Sequence, residues 1–216
     1  MFNIIVNIVQ LTLMPVHAMA RRQDHTPEDL RDIICVAAEK IISTKGLSAL
    51  TARRLARDIG YAPGTIYNFY ANMDALVTAV NDATLRRLQD YCLERLRGTR
   101  PGLARVRRLA HAYIDFAGAH EASWRALFAA AALPTAQLPP AYRQRLTDLF
   151  QLIETTLRDS LVMPRADVAP AARVLWASLH GITALAIDGR LALVGAPSGH
   201  AMADDLLRKY LAQYTK

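Results

Sequence analysis

The sequence predicts an all-α protein, and three observations support that fold class. Apolar residues recur three or four positions apart through most of the chain, which is the period of an amphipathic helix. No run alternates apolar and polar residues for long enough to form a strand. Ala, Leu and Arg are abundant, whereas only 7% of the 216 residues are aromatic, and the abundant residues favour helix.

The N-terminal part of the chain is divided into short helices by recognisable caps. Thr26 is a candidate N-cap, and Gly46 ends the first amphipathic stripe. Thr51 begins a short second helix that Gly60 closes, because glycine tolerates the positive φ of a helix end. A third short helix is predicted to continue to Tyr70.

Glycine and proline separate the remaining predicted helices. A fourth helix is predicted from about Asp74 to Leu96, and the breaker-rich segment 98–102 then separates two domains. Further helices are predicted at about 103–119, 121–132, 140–162, 167–187 and 200–214.

Positive charge is concentrated in the first half of the chain. Residues 21–108 contain 16 Lys or Arg and 10 Asp or Glu, a balance of +6, whereas residues 109–216 contain 10 and 9, a balance of +1. This asymmetry is typical of a nucleic-acid partner for the first part, although a solvated basic face gives the same counts. Cys35 and Cys92 have no metal-ligand spacing and favour a reducing compartment over a disulfide framework.

Residues 1–20 contain no charged side chain and leave several interpretations open. Ala18-Met19-Ala20 is similar to a signal-peptide cleavage site, but a positively charged start is missing and polar residues interrupt the apolar run. The same polar residues argue against a membrane span, which needs about 20 predominantly apolar residues. We favour a misassigned start, with translation beginning at Met14 or Met19, or a disordered tail.

Residues 52–71 have the pattern of a helix-turn-helix that reads DNA. Such a motif needs a small residue in its first helix, a turn residue that tolerates positive φ, and an apolar anchor in its second helix. These positions are occupied in order by Ala56, Gly60 and Ile66. Thr65, Tyr67 and Asn68 would then face a major groove. An ordinary αα-hairpin has the same spacing, so this pattern alone leaves both interpretations open.

The segment from Gly46 to Tyr70 resembles the DNA-binding domain of the TetR/AcrR family of transcriptional regulators. Its most specific part is Gly-Thr-Ile-Tyr at residues 64–67, followed by an aromatic residue at Tyr70. Asp74-Ala75-Leu76 is similar to the start of that family's fourth helix. The resemblance implies a helix-turn-helix that binds double-stranded DNA.

The resemblance also implies roles for individual residues of the motif. Thr51 and Tyr67 would hydrogen-bond phosphates, and Thr65 would lie close to the DNA backbone or to base edges. Tyr70 would belong to the core. The groove-facing surface would be formed by Ala62, Pro63, Gly64 and Asn68.

Basic residues around the motif have less certain partners, and one position departs from the family pattern. Arg53 or Arg57 would contact a phosphate, although a solvated basic face is an equal alternative. Arg21 and Arg22 would form an arm that reaches the duplex. Family members usually carry Lys where this chain has Met73, which implies one phosphate contact fewer per subunit.

The C-terminal half carries a second, shorter resemblance. Trp176, His180 and Gly181 resemble the C-terminal domain of the TetR subgroup named for its Trp-His-Gly residues. This implies a ligand-binding domain, and the candidate pocket residues are Tyr113, Phe116, His120, Trp124, Phe128, Trp176 and His180. Core packing with a hydrogen-bonded histidine explains the same pattern, because these residues recur at helical spacing.

The family resemblance further implies a homodimer in which the last two helices of each subunit form a four-helix bundle. The apolar residues available for this interface are Val174, Leu175, Leu179, Leu185, Leu206, Leu207 and Leu211. Two recognition helices would then read a palindromic operator with half-sites roughly 34–36 Å apart. A small-molecule effector of unknown identity would release the operator by binding the other conformation better.

The predicted function is a cytoplasmic, ligand-responsive transcriptional repressor. The predicted organisation is an extension at 1–20, a helix-turn-helix domain at 21–72, a connecting helix at 73–100, and a ligand-binding and dimerisation domain at 101–216. An activator of the same fold stays open, as does an exported helical binding protein if residues 1–20 are a working signal. We predict no enzymatic activity, cofactor, metal or membrane partner, because the chain has no phosphate loop or nucleophile motif and its histidines have no carboxylates at ligand spacing.

Overall fold

The computed structural model describes residues 25–129 and 138–214, and within these ranges the chain is helical with no strand, which confirms the predicted fold class. The α-helices are α1 (Pro27–Lys45), α2 (Ala52–Ile59), α3 (Pro63–Tyr67), α4 (Met73–Leu96), α5 (Leu103–Ala119), α6 (Glu121–Ala129), α7 (Pro140–Ser160), α8 (Arg165–Ile187) and α9 (Gly199–Tyr210). Short 3-10 segments occupy Leu47–Ala49, Arg190–Val194 and Ala212–Tyr214. The predictions for residues 1–20, Arg21 and Arg22 lie outside the described residues.

Helix α1 begins at a complete capping box. The Thr26 hydroxyl oxygen accepts from the Asp29 N–H at 3.1 Å, and the Asp29 carboxylate accepts from the Thr26 N–H at 3.2 Å. One face of the helix is fully buried, with Ile34 and Ile42 at 0% exposure. This face forms the centre of an N-terminal core that includes α2, α3 and the first half of α4.

Helix α4 belongs to both halves of the molecule. Its first turns contribute Leu76 and Val80 to the N-terminal core, whereas its later turns bring Leu88 and Leu96 against Phe116 of α5. One continuous helix therefore carries contacts in both halves.

The C-terminal half is a bundle of α5, α7, α8 and α9 packed against the second half of α4. Four residues predicted for the dimer interface are core residues of this bundle instead: Leu175, Leu179, Leu207 and Leu211. The apolar pattern of α8 and α9 could not distinguish an intrasubunit face from an intersubunit face, since both require the same spacing. Val174 and Leu185 remain exposed, and Leu206 is half-buried.

Helix ends differ from the predicted ends by a few residues, for local reasons. Helix α8 begins at Arg165, two residues early, with Pro164 as its N-cap, because proline suits a helix start. The final predicted helix ends at Tyr210 and continues only as a 3-10 turn. In residues 25–129 and 138–214, no helix is long and apolar enough to cross a membrane.

Candidate functional site

The turn between α2 and α3 has the geometry that a helix-turn-helix requires. Gly60 adopts the left-handed conformation, with φ 76° and ψ 27°, which a residue with a Cβ adopts only with strain. The chain then reverses, and the Tyr61 N–H donates to the Ala56 carbonyl at 2.9 Å. The predicted role of Gly60 at this turn therefore agrees with the observed backbone.

Buried side chains fix α2 and α3 against α1. Leu55, Ala56 and Ile66 have 0% exposure. Tyr70 is also buried, and its hydroxyl donates to the Arg31 carbonyl at 3.4 Å while the Arg31 guanidinium lies over its ring. Burial raises the pKa of Tyr70 to about 12. These contacts place Tyr70 in the core, as predicted.

The residues predicted to face DNA lie together at the exposed side of this unit. The exposed ones are Thr51, Arg53, Ala62, Pro63, Gly64, Tyr67 and Asn68. Thr65 is half-buried. Tyr67, with half of its surface exposed, is among the exposed large apolar side chains of the described chain. We call these eight residues the α2–α3 surface.

Thr51 and Arg53 both keep hydrogen-bonding capacity for an outside partner. The Thr51 hydroxyl oxygen accepts from the Arg54 N–H at 3.2 Å, which leaves its own proton available to a further acceptor. Arg57 pairs with Asp58 at 3.6 Å, whereas Arg53 has no ion-pair partner among the described residues. Of these two arginines, only Arg57 therefore has an ion pair within the described part of the chain.

The fold of the subunit does not require glycine at residue 64, whereas Met73 packs against the N-terminal core. A Cβ built on Gly64 would meet no atom within 4 Å, and this residue has no positive φ. The fold of the subunit therefore does not require glycine there. Met73 is half-buried and packs against the N-terminal core, so it contributes to stability at a position where a lysine would reach towards solvent.

A cavity of about 500 Å³ lies in the C-terminal half. Its walls come from α4, α5, α6, α7, α8 and α9, and apolar side chains provide most of the lining. A volume of this size suits a small-molecule ligand.

The structure brings three of the predicted pocket residues to this cavity and leaves the others out. Tyr113, Phe128 and Trp176 line it. Phe116 and Trp124 are instead core residues, at 2% and 3% exposure, because they lie on faces of α5 and α6 that pack against other helices. His120 is exposed at the end of α5, and His180 lies behind the cavity wall. The other four predicted residues are therefore not part of this cavity's lining, and a ligand-binding role for any of the seven stays a prediction.

His180 belongs to a hydrogen-bonded aromatic cluster with Tyr113 and Trp124. The Trp124 indole N–H donates to the Tyr113 hydroxyl at 3.2 Å, and that hydroxyl lies 3.1 Å from Nδ1 of His180. Burial lowers the pKa of His180, which favours a neutral ring. We therefore assign Tyr113 as donor to a bare Nδ1. Phe128 covers the same histidine, with ring centroids 4.2 Å apart.

Several cavity residues were missed by the sequence analysis, of which Asn81 is the most informative. Asn81 lines the cavity and is only 3% exposed. It lies one residue after Val80 on the core-facing side of α4, and a polar residue at a core position was the available signal. Other polar lining residues that were not predicted are Thr78, Tyr142 and Thr156.

Helix α6 has one face in each half of the molecule. Ala126 belongs to the N-terminal core, and α6 packs against α1. The next two residues, Leu127 and Phe128, line the cavity. Asn81 Nδ2 donates to the Ala126 carbonyl at 3.3 Å, so α4 and α6 are joined at this point. A molecule in the cavity would therefore touch a helix that packs against α1 in the N-terminal core.

Two histidines have carboxylate partners that their sequence spacing concealed. His111 Nε2 lies 2.8 Å from Asp204, and His200 Nε2 lies 2.8 Å from Asp115. Each pair joins α5 to α9, which are far apart in sequence, so local spacing could not reveal either partner. No group of three or more metal-ligating side chains is found in the described part of the chain.

Comparison with protein families identifies both halves. The family model for bacterial regulatory proteins of the tetR family matches residues 34–80. The model described as tetracyclin repressor-like, C-terminal domain, matches residues 106–210. The chain belongs to the TetR family. It is therefore a DNA-binding transcriptional regulator by family, a class that is generally not enzymatic. The narrower resemblance of this TetR-family protein to the Trp-His-Gly subgroup stays a prediction.

Solved structures share the fold of this TetR-family protein at low sequence identity. A protein of unknown function from Rhodococcus sp. RHA1 superposes with a TM-score of 0.73 at 22% identity, covering 91% of this chain and 100% of its own. A TetR-like transcriptional regulator from the same organism gives 0.61 at 17% identity, covering 87% and 99%. BioQ, solved with its double-stranded DNA operator, gives 0.57 at 23% identity, covering 82% and 96%.

Proposed function

We propose that this TetR-family protein is a homodimeric repressor that releases a palindromic operator when a small molecule enters the cavity. The observation that carries the proposal is the double contact of α6. This helix lines the cavity with Leu127 and Phe128, and it places Ala126 in the core beneath the DNA-binding helices. A ligand that moves α6 would thus alter the α2–α3 surface.

The chemistry of the α2–α3 surface supports phosphate and groove contacts. Thr51 and Tyr67 offer hydroxyl groups, and Arg53 offers a guanidinium that makes no ion pair with any described residue. These groups suit phosphate oxygens, which receive most of the hydrogen bonds in protein–DNA complexes. Gly64, which the subunit fold does not need, would permit close approach of the α3 backbone to the duplex.

An exposed apolar stripe on α8 supports the proposed dimer. Val174 and Leu185 are 44% and 43% exposed, and the exposed small residues Ala177 and Gly181 lie between them at helical spacing. Small residues let two helices approach closely. The proposed interface is therefore centred on this α8 stripe, with half-buried Leu206 of α9 beside it, rather than on the leucines that form the bundle core.

Binding of the ligand and of DNA would be coupled through two conformations of the dimer. The spacing of the two α3 helices must match successive major grooves in the operator-bound form. A ligand that binds the other form better shifts the population away from DNA, and only this difference in affinity counts. Because the operator is genomic, the proposal includes a cytoplasmic location.

The test of operator binding is a titration of the purified dimer with the DNA that flanks its own gene, at two salt concentrations. A scrambled duplex of the same composition is the control. We expect saturable binding to the native sequence and weaker, strongly salt-dependent binding to the scrambled one. Equal binding to both duplexes would refute a specific operator there. Transcription from the same fragment in vitro separates repression from activation, the remaining candidate.

The test of the dimer uses a charge placed on or off the α8 stripe. Leu185→Glu should convert the dimer to a monomer in size-exclusion chromatography with light scattering, because it buries a charge in the interface. Leu193→Glu is the control, since Leu193 is 82% exposed in the 3-10 segment after α8. A dimeric Leu185→Glu protein would refute this interface.

A further inference from the structure

Three hydroxyl groups of the cavity wall already use their own protons, whereas the Tyr142 hydroxyl and the Trp176 indole N–H have no hydrogen-bond partner among the described residues. The Thr78 hydroxyl donates to the Asp74 carbonyl and the Thr156 hydroxyl donates to the Leu152 carbonyl, each at 2.8 Å. The Tyr113 hydroxyl is engaged with Trp124 and His180. These groups can therefore accept from a ligand more readily than they can donate to it.

One buried acceptor of the cavity wall has no hydrogen-bond partner among the described residues. Asn81 Oδ1 is buried and makes no hydrogen bond in the described structure. A flipped amide would not remove the problem, because Nδ2 is the atom that donates to the Ala126 carbonyl at 3.3 Å. An unsatisfied buried acceptor is costly, and it is rare in a folded protein. Its position in a residue that lines the cavity points to a partner supplied from the cavity.

The described lining also lacks charge. None of the described residues that line the cavity is Asp, Glu, Lys, Arg or His. Burial raises the pKa of the Cys92 thiol to about 12, so that residue stays neutral as well. The nearby Asp82 and Arg145 pair with each other at 2.8 Å and are not part of the lining. A carboxylate or ammonium group would find no counter-ion among these side chains.

We propose that the effector of this cavity is an uncharged, largely apolar molecule that donates a hydrogen bond to Asn81 Oδ1, such as an alcohol or a phenol. This inference rests on the proposed function, since it assigns the chemical class of the small molecule that enters the cavity. It goes further in naming the atom that selects the ligand.

The position of Asn81 also links this hydrogen bond to the DNA-binding half. Asn81 is on α4, and its amide group already holds the Ala126 carbonyl of α6. Ala126 belongs to the N-terminal core. A ligand bound to Oδ1 would therefore act at the junction of α4, α6 and α1, whereas a purely apolar ligand would only fill volume.

The test compares three probes with the same ten-carbon chain: decanol, decyl methyl ether and decanoate. Binding is followed by the fluorescence of Trp124 and Trp176, the two tryptophans of the chain. Trp176 lines the cavity, and Trp124 donates a hydrogen bond to Tyr113, which also lines it. The full chain is used without DNA. We expect decanol to bind about tenfold more tightly than the ether, since only the alcohol donates to the acceptor, and decanoate to bind more weakly than both.

Variants of the full chain test whether Asn81 is the source of this preference. Asn81→Leu, of similar volume, should reduce the alcohol-to-ether ratio of affinities from about ten to about one. Thr156→Val is the matched control in the same cavity, and it should keep the ratio because the Thr156 hydroxyl donates to its own helix. If Asn81→Leu does not fold, the probe series on the unaltered protein still decides.

Equal binding of decanol and the ether, tighter binding of decanoate, or no binding of decanol up to its solubility would each overturn the inference. A ratio that survives Asn81→Leu would do the same. These results are distinct from failure of the proposed function, because the fluorescence titration contains no DNA. If the protein prefers decanol but binds no operator, the inferred ligand class stands and the proposed repressor function is refuted.

Discussion

The two halves of this TetR-family protein hold their functional groups in opposite ways. Tyr67 on α3 has half of its surface exposed, and its hydroxyl points to no described partner. Tyr113 on α5 lines a cavity, and its hydroxyl is held between Trp124 and His180. One tyrosine is available for an outside molecule, whereas the other maintains the shape of a space within the fold.

This difference teaches that the same side chain can be exposed in one half and held in a hydrogen-bonded cluster in the other. The α2–α3 surface lies over the N-terminal core, so its residues other than the helix cap Thr51 can change with little effect on folding. The cavity is enclosed by residues that are themselves part of the bundle core. Substitutions of cavity residues should therefore change the free energy of unfolding as well as the affinity for a ligand.

The largest effect is expected from Gly60→Val, which would break the N-terminal half. Valine at φ 76° should lower the free energy of unfolding by about 3 kcal/mol, with a Tm about 9 °C lower. Thermal denaturation followed by circular dichroism measures this. Gly60→Asn is the control and should lose less than half as much, since Asn tolerates the left-handed conformation. An unchanged Tm for Gly60→Val would contradict the turn assignment.

Tyr113→Phe should have the next largest effect on stability, and it directly tests the contrast between Tyr113 and Tyr67. It leaves the Trp124 N–H and His180 Nδ1 without their shared partner. We expect a loss of about 2 kcal/mol in the free energy of unfolding and a Tm about 6 °C lower. Operator affinity below the Tm should be unchanged. Loss of operator affinity without loss of stability would contradict the assignment of Tyr113 to the stability of the C-terminal half.

Tyr67→Phe is the same chemical change on the α2–α3 surface and should give the reverse result. Removing a hydroxyl that donates to a phosphate should weaken operator binding about tenfold, which corresponds to about 1.4 kcal/mol. The Tm should not change, because the residue is half-exposed. Fluorescence anisotropy with a labelled operator measures the affinity. Intact binding would remove Tyr67 from the proposed contacts.

Gly64→Ala should have a smaller effect, raising the stability of the protein while weakening its binding to the operator. Alanine favours helix, so stability should rise by up to about 1 kcal/mol, whereas the added Cβ should weaken operator binding about fivefold by holding α3 away from the duplex. Gly118→Ala is the control, since Gly118 is an open, exposed helical glycine in α5. It should raise the Tm without changing operator affinity. Equal operator affinity in both variants would refute the close approach at Gly64.

The smallest effect is expected from the pH dependence of His180. Burial lowers its pKa in the folded state, so the unfolded chain binds the proton more readily and stability falls as the pH drops below the ordinary histidine value of 6.5. His180→Asn keeps an acceptor near Tyr113 but cannot be protonated. Its fall in Tm between pH 7 and pH 5 should be smaller than that of the unaltered protein. An identical fall in both proteins would mean that His180 does not contribute.

The prediction of the N-terminal half succeeded because its signals are local. Thr26, Gly46, Thr51 and Gly60 each act within one turn of their own position, and the structure has all four at helix ends. The exposed positions of α3 follow from the burial of Ile66, which the helical period already indicates. Short helices joined by a tight turn leave few alternative arrangements.

The prediction of the cavity was limited because its walls come from distant parts of the chain. Residues of six helices meet there, and the sequence does not state which faces turn towards each other. Aromatic spacing brought attention to Trp124 and Phe116, yet both are core residues. Asn81 is a polar residue at a core position of α4, but its importance becomes clear only from its unpaired oxygen in the structure.

By itself the sequence determined the helical class, the helix-turn-helix and the residues of its exposed surface, because helix caps and periodicity act over a few residues. Only the tertiary structure decided which leucines of α8 and α9 lie inside the subunit, how His111 and His200 find Asp204 and Asp115, and where a buried acceptor meets a cavity. These outcomes depend on contacts between helices far apart in sequence, and packing selects such contacts from the arrangement of the whole chain.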